Sequence, residues 1–193
     1  MPFSQSSQLS TIVGCAERLQ PASVLDVGVG MGQYGFLLRT NLENVRLFEV
    51  EGTHARQAPR ERWSVRIDGI EGYAGYLTPV HAYAYNEVRI GNALELLPTI
   101  ADASYDLVMA IDILEHFDKA EGEVFLQHCR RIAKRMALVS TPKAFIEQHV
   151  EANPFEDHRS LWTREDLAGQ GYAHLLANEE SWIAAWRAPG LMT

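Results

Sequence analysis

The chain has 193 residues, 47% hydrophobic and 22% charged, with 17 Lys and Arg against 25 Asp and Glu. This length and balance fit one soluble globular domain, expected to span residues 1–193, and the net charge of −8 argues against broad nonspecific binding to nucleic acid. Cys15 and Cys129 are isolated, which excludes a disulfide framework and cysteine zinc spacing, and no apolar run approaches the ~20 residues of a membrane span. No basic segment followed by an apolar one opens the chain, so no signal peptide and a cytoplasmic location are expected.

Leu9, Ile12, Val13, Ala16 and Leu19 recur at helical spacing, and Pro21 should stop this N-terminal helix, within residues 1–20, before the first strand. Its expected role is to cover the sheet or the mouth of a ligand site. Val24 to Val27 then reads as a short strand, followed by Gly28, Gly30, Gly32 and Gly35, with Tyr34, Leu37, Leu38 and Leu42 near helical spacing beyond. Strand, glycine turn and helix open a nucleotide-binding α/β unit, in which glycine accepts positive φ and allows close approach of a ligand. Two registers fit. Gly30-x-Gly32-x-x-Gly35 matches the dinucleotide fingerprint, with Glu51 at roughly the separation of a ribose-binding acid. Asp26-x-Gly28-x-Gly30-x-Gly32 instead puts an acid at the C-terminal end of the strand.

In the second register the sequence resembles the first motif of class I S-adenosylmethionine-dependent methyltransferases. The resemblance implies that Gly28, Gly30 and Gly32 pass under the methionine part of the cofactor, while Asp26 orients the loop and the cofactor's amino group. It implies S-adenosylmethionine as cofactor and S-adenosylhomocysteine as product.

The charged stretch from Glu43 to Trp63, with Arg46, Arg56, Arg60 and Arg62, reads as an exposed insertion over 43–64, or alternatively as a basic lip for an anionic substrate. Val65 to Gly72 reads as a second buried strand ending in an acid and resembles the family's second motif, which implies that Glu71, beside Gly72, accepts both ribose hydroxyls. Spacing also favours Glu71 over Glu51: twenty-one residues separate it from Asn92, room for one helix and one strand. That helix is expected over Tyr73 to Tyr83, with Tyr76, Val80 and Tyr83 as a packed stripe and a kink at Pro79.

Glu87 to Ile90 reads as the third strand. The resemblance places adenine at the following corner, Asn92-Ala93, where Asn92 stands in place of the family's common aspartate; Asn92 is equally a helix N-cap. Tyr105 to Ile111 is a continuous apolar run, as a central parallel strand requires. It ends in Asp112-Ile113-Leu114-Glu115-His116, which resembles the family's fourth motif and implies Asp112 near the methionine moiety and His116 facing the transferred methyl. Asp118 with Glu121 reads as a capping pair, with Phe125, Cys129, Ile132 and Met136 as the buried stripe of the helix beyond.

Ala137 to Val139 is the fifth strand, and the polar stretch 141–163, with Asn153, His158 and Trp162, corresponds to the acceptor-side lid of the family. Thr163 caps a short helix, and His174 to Ala177 with Ser181 to Trp186 form a closing hairpin. The resemblance thus implies a doubly wound, Rossmann-like α/β fold with a seven-stranded sheet, mostly parallel with an antiparallel last strand. It implies methyl transfer to a small-molecule acceptor, with the hydroxyl of a sugar, lipid or secondary metabolite favoured and His116 or His158 as proton acceptor. No metal is expected. The alternatives are a cofactor-binding protein without transfer, or a nicotinamide-linked oxidoreductase built on Gly30, Gly32, Gly35 and Glu51.

Overall fold

The computed structural model describes residues 5–190, so residues 1–4 of the expected N-terminal segment lie outside the described residues. Helix α1 (Leu9–Leu19) buries Ile12, Cys15, Ala16 and Leu19 on one face and ends at Gln20, whose left-handed conformation (φ 49°) lets its N–H bond back to Ala16. Strand β1 (Ser23–Val27) leads through the glycine turn into α2 (Gln33–Glu43). An exposed two-stranded hairpin, β2 (Phe48–Glu51) and β3 (His54–Gln57), stands apart from the main sheet. Then follow β4 (Arg66–Glu71), α3 (Pro79–Ala84), β5 (Glu87–Ile90), α4 (Ala93–Leu96), β6 (Tyr105–Ile111) and α5 (Lys119–Ile132). The chain closes with β7 (Ala133–Pro142), α6 (Arg164–Gly169), β8 (His174–Leu176) and β9 (Ser181–Arg187).

The main sheet has seven strands in the order β5-β4-β1-β6-β7-β9-β8, parallel from β5 to β7, with β9 antiparallel to both of its neighbours. Both faces are covered, and the alternation of the central strands shows it. Leu107, Met109 and Ile111 of β6 pack with α1 and α2, whereas Val108 and Ala110 pack with α5. The chain runs outward from β1 in one direction through β4 and β5, then returns to the other side of β1 as β6. That reversal opens a crevice beyond the C-terminal ends of β1 and β6, the place where open α/β sheets bind ligands.

Arg39, fully buried in α2, fastens this half of the molecule. It donates to the carbonyls of Ala84 (3.0 Å) and Val65 (2.6 Å) and to Asn86 (2.9 Å), and pairs with buried Glu43 at 3.3 Å.

Three elements differ from expectation. The segment Tyr73 to Tyr83 is not one helix: Tyr76 sits in a separate 3₁₀ turn, Val80 is exposed, and α3 begins at Pro79 with Thr78 as its cap. Proline at the first helical position breaks nothing, because that N–H has no partner anyway. Helix α5 ends at Ile132 and passes into β7 without a loop, so Met136 belongs to a strand and not to the helical stripe. Strand β7 is also longer than Ala137 to Val139, because it pairs with β6 on one side and with β9 on the other.

Candidate active site

The glycine turn is tied to β4. The N–H groups of Gly28 and Val29 both donate to Ile70 O, at 2.8 and 3.2 Å. Gly28 adopts φ +80°, and a Cβ there would lie 2.5 Å from Ile113 Cδ1, so both backbone and space demand glycine. Asp26 is buried at the end of β1, where the Tyr85 hydroxyl donates to its Oδ2 at 2.6 Å. The same hydroxyl accepts from Gly35 N at 3.1 Å, so the acid holds the first turn of α2 through Tyr85. Burial pushes the Asp26 carboxyl up to about 7, the charge of Glu71 adding to it and the Tyr85 hydrogen bond opposing it.

A second clasp comes from His81. Its Nδ1 accepts from Thr78 N at 3.0 Å, which leaves the proton on Nε2 to donate to Gly30 O at 3.0 Å. Glu71 completes the turn: Oε2 accepts from Gly30 N and Oε1 from Tyr73 N, each at 2.9 Å. Burial raises its pKa, against the pull of these backbone N–H groups.

A cavity of about 290 Å³ opens beyond these strand ends. Gly28, Gly30, Glu71, Gly72, Asn92 and Ala93 line one part of it; Asp112 and His116 line another. Asp26, Gly32 and His158 are not part of its wall. Asn92 caps α4, accepting from Leu94 N at 2.9 Å, and faces the cavity as well. Asp112 takes a left-handed conformation (φ 52°), accepts from the Ser140 hydroxyl at 2.7 Å and is bonded by buried Gln8 from the turn preceding α1. That contact brings the N-terminal helix to the site. Over the top, Tyr76, Asn153, Phe155, Glu156 and Arg159 close the cavity, and Asn153 donates to the Tyr76 hydroxyl at 3.1 Å.

His116 lines the wall, and behind it the ring of His158 lies 4.9 Å from its own, edge to face. Burial lowers the His116 pKa, His158 adding to that effect and the Asp157 carbonyl opposing it. Beneath them Glu115 is buried, its carboxyl pushed up to about 8 by burial first and by the charge of Asp112 second.

Trp162, placed by sequence among acceptor-side residues, is instead core: it is 1% exposed, packed on Gly122 of α5, with its indole N–H donated to Ser160 at 2.8 Å. No arginine of the 43–64 segment lines the cavity. Arg56 and Arg62 pair with Glu49, and Arg60 serves the carbonyls of Ala82 and Tyr85. Glu51 is exposed on the hairpin opposite His54, away from the cavity wall. Sequence reasoning missed His81, Tyr85 and Glu156. His81 was masked by reading Tyr73 to Tyr83 as one helix, although Thr78-Pro79 is a legible helix start.

Residues 25–141 match the family model described as a methyltransferase domain. The curated proteins contain no match to the sequence. Among solved structures, the PH0226 protein from Pyrococcus horikoshii OT3 is similar at 16% identity and TM-score 0.59, with 95% of this chain and 92% of that chain covered. The N-terminal domain of EvdMO1, solved with SAH and D-fucose, is similar at 18% identity and TM-score 0.60, covering 95% and 84%. Magnesium protoporphyrin IX methyltransferase from Synechocystis PCC 6803, with bound SAH, is similar at 16% identity and TM-score 0.55, covering 92% and 80%. These likenesses confirm the doubly wound sheet with its antiparallel last strand, and among the described residues no helix is long and apolar enough to cross a membrane. With the family model spanning well over half of its length, the chain belongs to the class I S-adenosylmethionine-dependent methyltransferases.

Proposed function

We propose that this enzyme transfers the methyl group of S-adenosylmethionine to a hydroxyl of a small polyhydroxylated acceptor, of which a sugar is the leading class. S-adenosylmethionine is the methyl donor of the family, and S-adenosylhomocysteine the product. In this reading Gly28 and Gly30 lie under the methionine part of the cofactor, Glu71 takes the ribose hydroxyls, Asn92 and Ala93 flank adenine, and Asp112 sits near the methionine moiety. Asp26 and Gly32 act from behind the cavity wall by shaping the turn. The acceptor enters beneath Tyr76, Asn153, Glu156 and Arg159, a rim of mixed donors and acceptors that suits several hydroxyls better than an apolar surface. The D-fucose bound to the EvdMO1 domain is consistent with that class.

The observation that carries the reading is His116. Its Nδ1 faces the Asp157 carbonyl at 3.3 Å, a group that only accepts, so Nδ1 holds the proton and Nε2 keeps a lone pair on the cavity side of the molecule. Because burial lowers its pKa, the imidazole is neutral at pH 7 and able to take the acceptor's proton, either directly or with His158 behind it. The cofactor already carries its leaving group, so positioning supplies much of the remaining acceleration.

Titration with S-adenosylhomocysteine and with NAD tests the cofactor, with saturable binding expected for the first alone. Screening sugar acceptors then tests transfer. With a hydroxyl acceptor, His116→Ala should lower kcat by about 10²–10⁴-fold with cofactor affinity nearly unchanged. In the wild type an acid limb in kcat/KM should begin below pH ~6.5, since the lowered pKa moves it down from the free histidine value. Near wild-type turnover by His116→Ala would remove the histidine from the chemistry.

A further inference from the structure

At the acceptor end of the cavity, His116 of the wall belongs to a group of side chains, with Glu115 and His158 behind it, that methyl transfer by proton abstraction does not require. A carboxylate oxygen of Glu115 and one ring nitrogen from each of His116 and His158 all lie within 4.8 Å of one another. Donors around a first-row divalent ion at ~2.0–2.2 Å each stand roughly 3–4 Å apart, so small side-chain adjustments would close this set around a cation. Glu115 is only 4% exposed, and its Oε2 has no hydrogen-bond partner. The buried Thr141 hydroxyl likewise makes no hydrogen bond. A buried carboxylate oxygen without a partner costs free energy unless a proton or a cation satisfies it.

The histidines supply an independent sign. His116 Nδ1 faces the Asp157 carbonyl at 3.3 Å, and His158 Nδ1 faces the Ile146 carbonyl at 2.6 Å. Carbonyl oxygens accept only, so each ring carries its proton on Nδ1 and offers the Nε2 lone pair. Backbone carbonyls holding the far nitrogen of an imidazole are the usual outer support of a metal-ligating histidine.

We infer that Glu115, His116 and His158 bind one divalent transition-metal cation at the acceptor end of the methyl-transfer cavity. Two imidazoles and a carboxylate suit Mn²⁺, Fe²⁺, Co²⁺ or Zn²⁺ better than Ca²⁺ or Mg²⁺. Three protein ligands leave positions open toward the cavity wall that His116 forms. An acceptor hydroxyl bound there becomes more acidic and releases its proton to solvent. The resulting alkoxide forms the C–O bond as the methyl–sulfur bond breaks, and sulfur keeps the electron pair as neutral S-adenosylhomocysteine. This deepens the proposed function and rests on its placement of the acceptor: in the metal-loaded enzyme His116 holds the ion, and in the metal-free enzyme it takes the proton directly.

The test uses the full chain, stripped with a chelator, then titrated with Co²⁺ followed by visible ligand-field bands, and with Mn²⁺ followed by loss of the free-ion EPR signal. One equivalent should bind, and Glu115→Gln and His158→Ala should each weaken binding by at least ten-fold while circular dichroism stays that of the wild type. His158 does not line the cavity, so S-adenosylhomocysteine affinity measured on the same His158→Ala sample should not change. Absence of stoichiometric binding, or binding unaffected by either variant, overturns the inference. Failure of the wild type to bind S-adenosylhomocysteine overturns the cofactor placement instead, whatever the metal titration shows.

Discussion

Tyr85 shows how much one side chain can hold. Its hydroxyl bonds both Asp26 and Gly35 N, and its ring lies so close to Gly35 that a Cβ there would sit 2.1 Å from Cζ. Tyr85→Phe keeps the ring and leaves a buried carboxylate and a buried N–H unsatisfied. We expect a loss of about 1–3 kcal/mol in denaturant unfolding at pH 8, where Asp26 is charged; an unchanged midpoint would show that water replaces the hydroxyl. Glu71 makes a second residue-scale case. Each hydrogen bond to a charged group contributes roughly 1.5–3 kcal/mol, so Glu71→Ala should weaken S-adenosylhomocysteine binding by at least ten-fold. Glu51→Ala, on the exposed hairpin, should leave it unchanged. Calorimetry decides between them, and the reverse pattern would restore the dinucleotide register.

At the scale of elements, α5 is placed by a glycine. Asp118 and Glu121 close a capping box at its start, and Phe125, Leu126, Cys129 and Ile132 fix its buried face. Gly122 lies on that face because Trp162 takes the space of a side chain: a Cβ would lie 2.3 Å from Cζ2. Alanine at a helix interior gains ~1 kcal/mol over glycine in propensity, whereas overpacking costs ~1–3 kcal/mol. Trp162 is fully buried and held to Ser160, so it has little room to yield and the clash should win. Gly122→Ala is therefore expected to lower Tm, and also to disturb the chain between Ser160 and Glu115, whose carbonyl accepts from Arg159 and Ser160 N–H at 2.8 and 3.1 Å. A raised Tm would mean that the segment around Trp162 repacks freely.

The whole molecule buries acids at the ligand end of its sheet, and this gives its stability a slope with pH. Asp26 titrates at about 7 when folded, against ~3.9 in an unfolded chain. Between these values the folded state binds the extra proton, so this group's contribution declines as pH rises from ~4 to ~7 and is level above. His116 acts in the opposite sense: its folded pKa is lowered, so folding loses support as pH falls through ~6.5. Asp26→Asn removes the first slope alone and still accepts from Tyr85. Its stability relative to wild type should rise between pH 4.5 and 7.5; a constant difference across that range would mean that Asp26 is ionised throughout.

By itself the sequence determined most of the elements and their order. A strand that alternates between two covered faces, a helix with an apolar stripe, a capping box and a glycine turn are written within a dozen residues, where periodicity and backbone sterics act. The individual strands, the turn at Gly28 to Gly32 and the caps at Asn92, Asp118 and Thr163 were legible for that reason, while the seven-stranded sheet that joins the strands was an implication of the family resemblance. Only the tertiary structure decided what packs against the turn. His81 meets Gly30 across 51 positions and Tyr85 meets Asp26 across 59, contacts that no local pattern encodes. It also sent Trp162 to the core, set Glu51 outside the cavity wall and brought His158 onto His116 and Glu115. The placements of Trp162 and His158 depend on how residues 143–163 fold back over the C-terminal ends of the strands, and that is fixed by long-range packing and shared carbonyls, not by residue type.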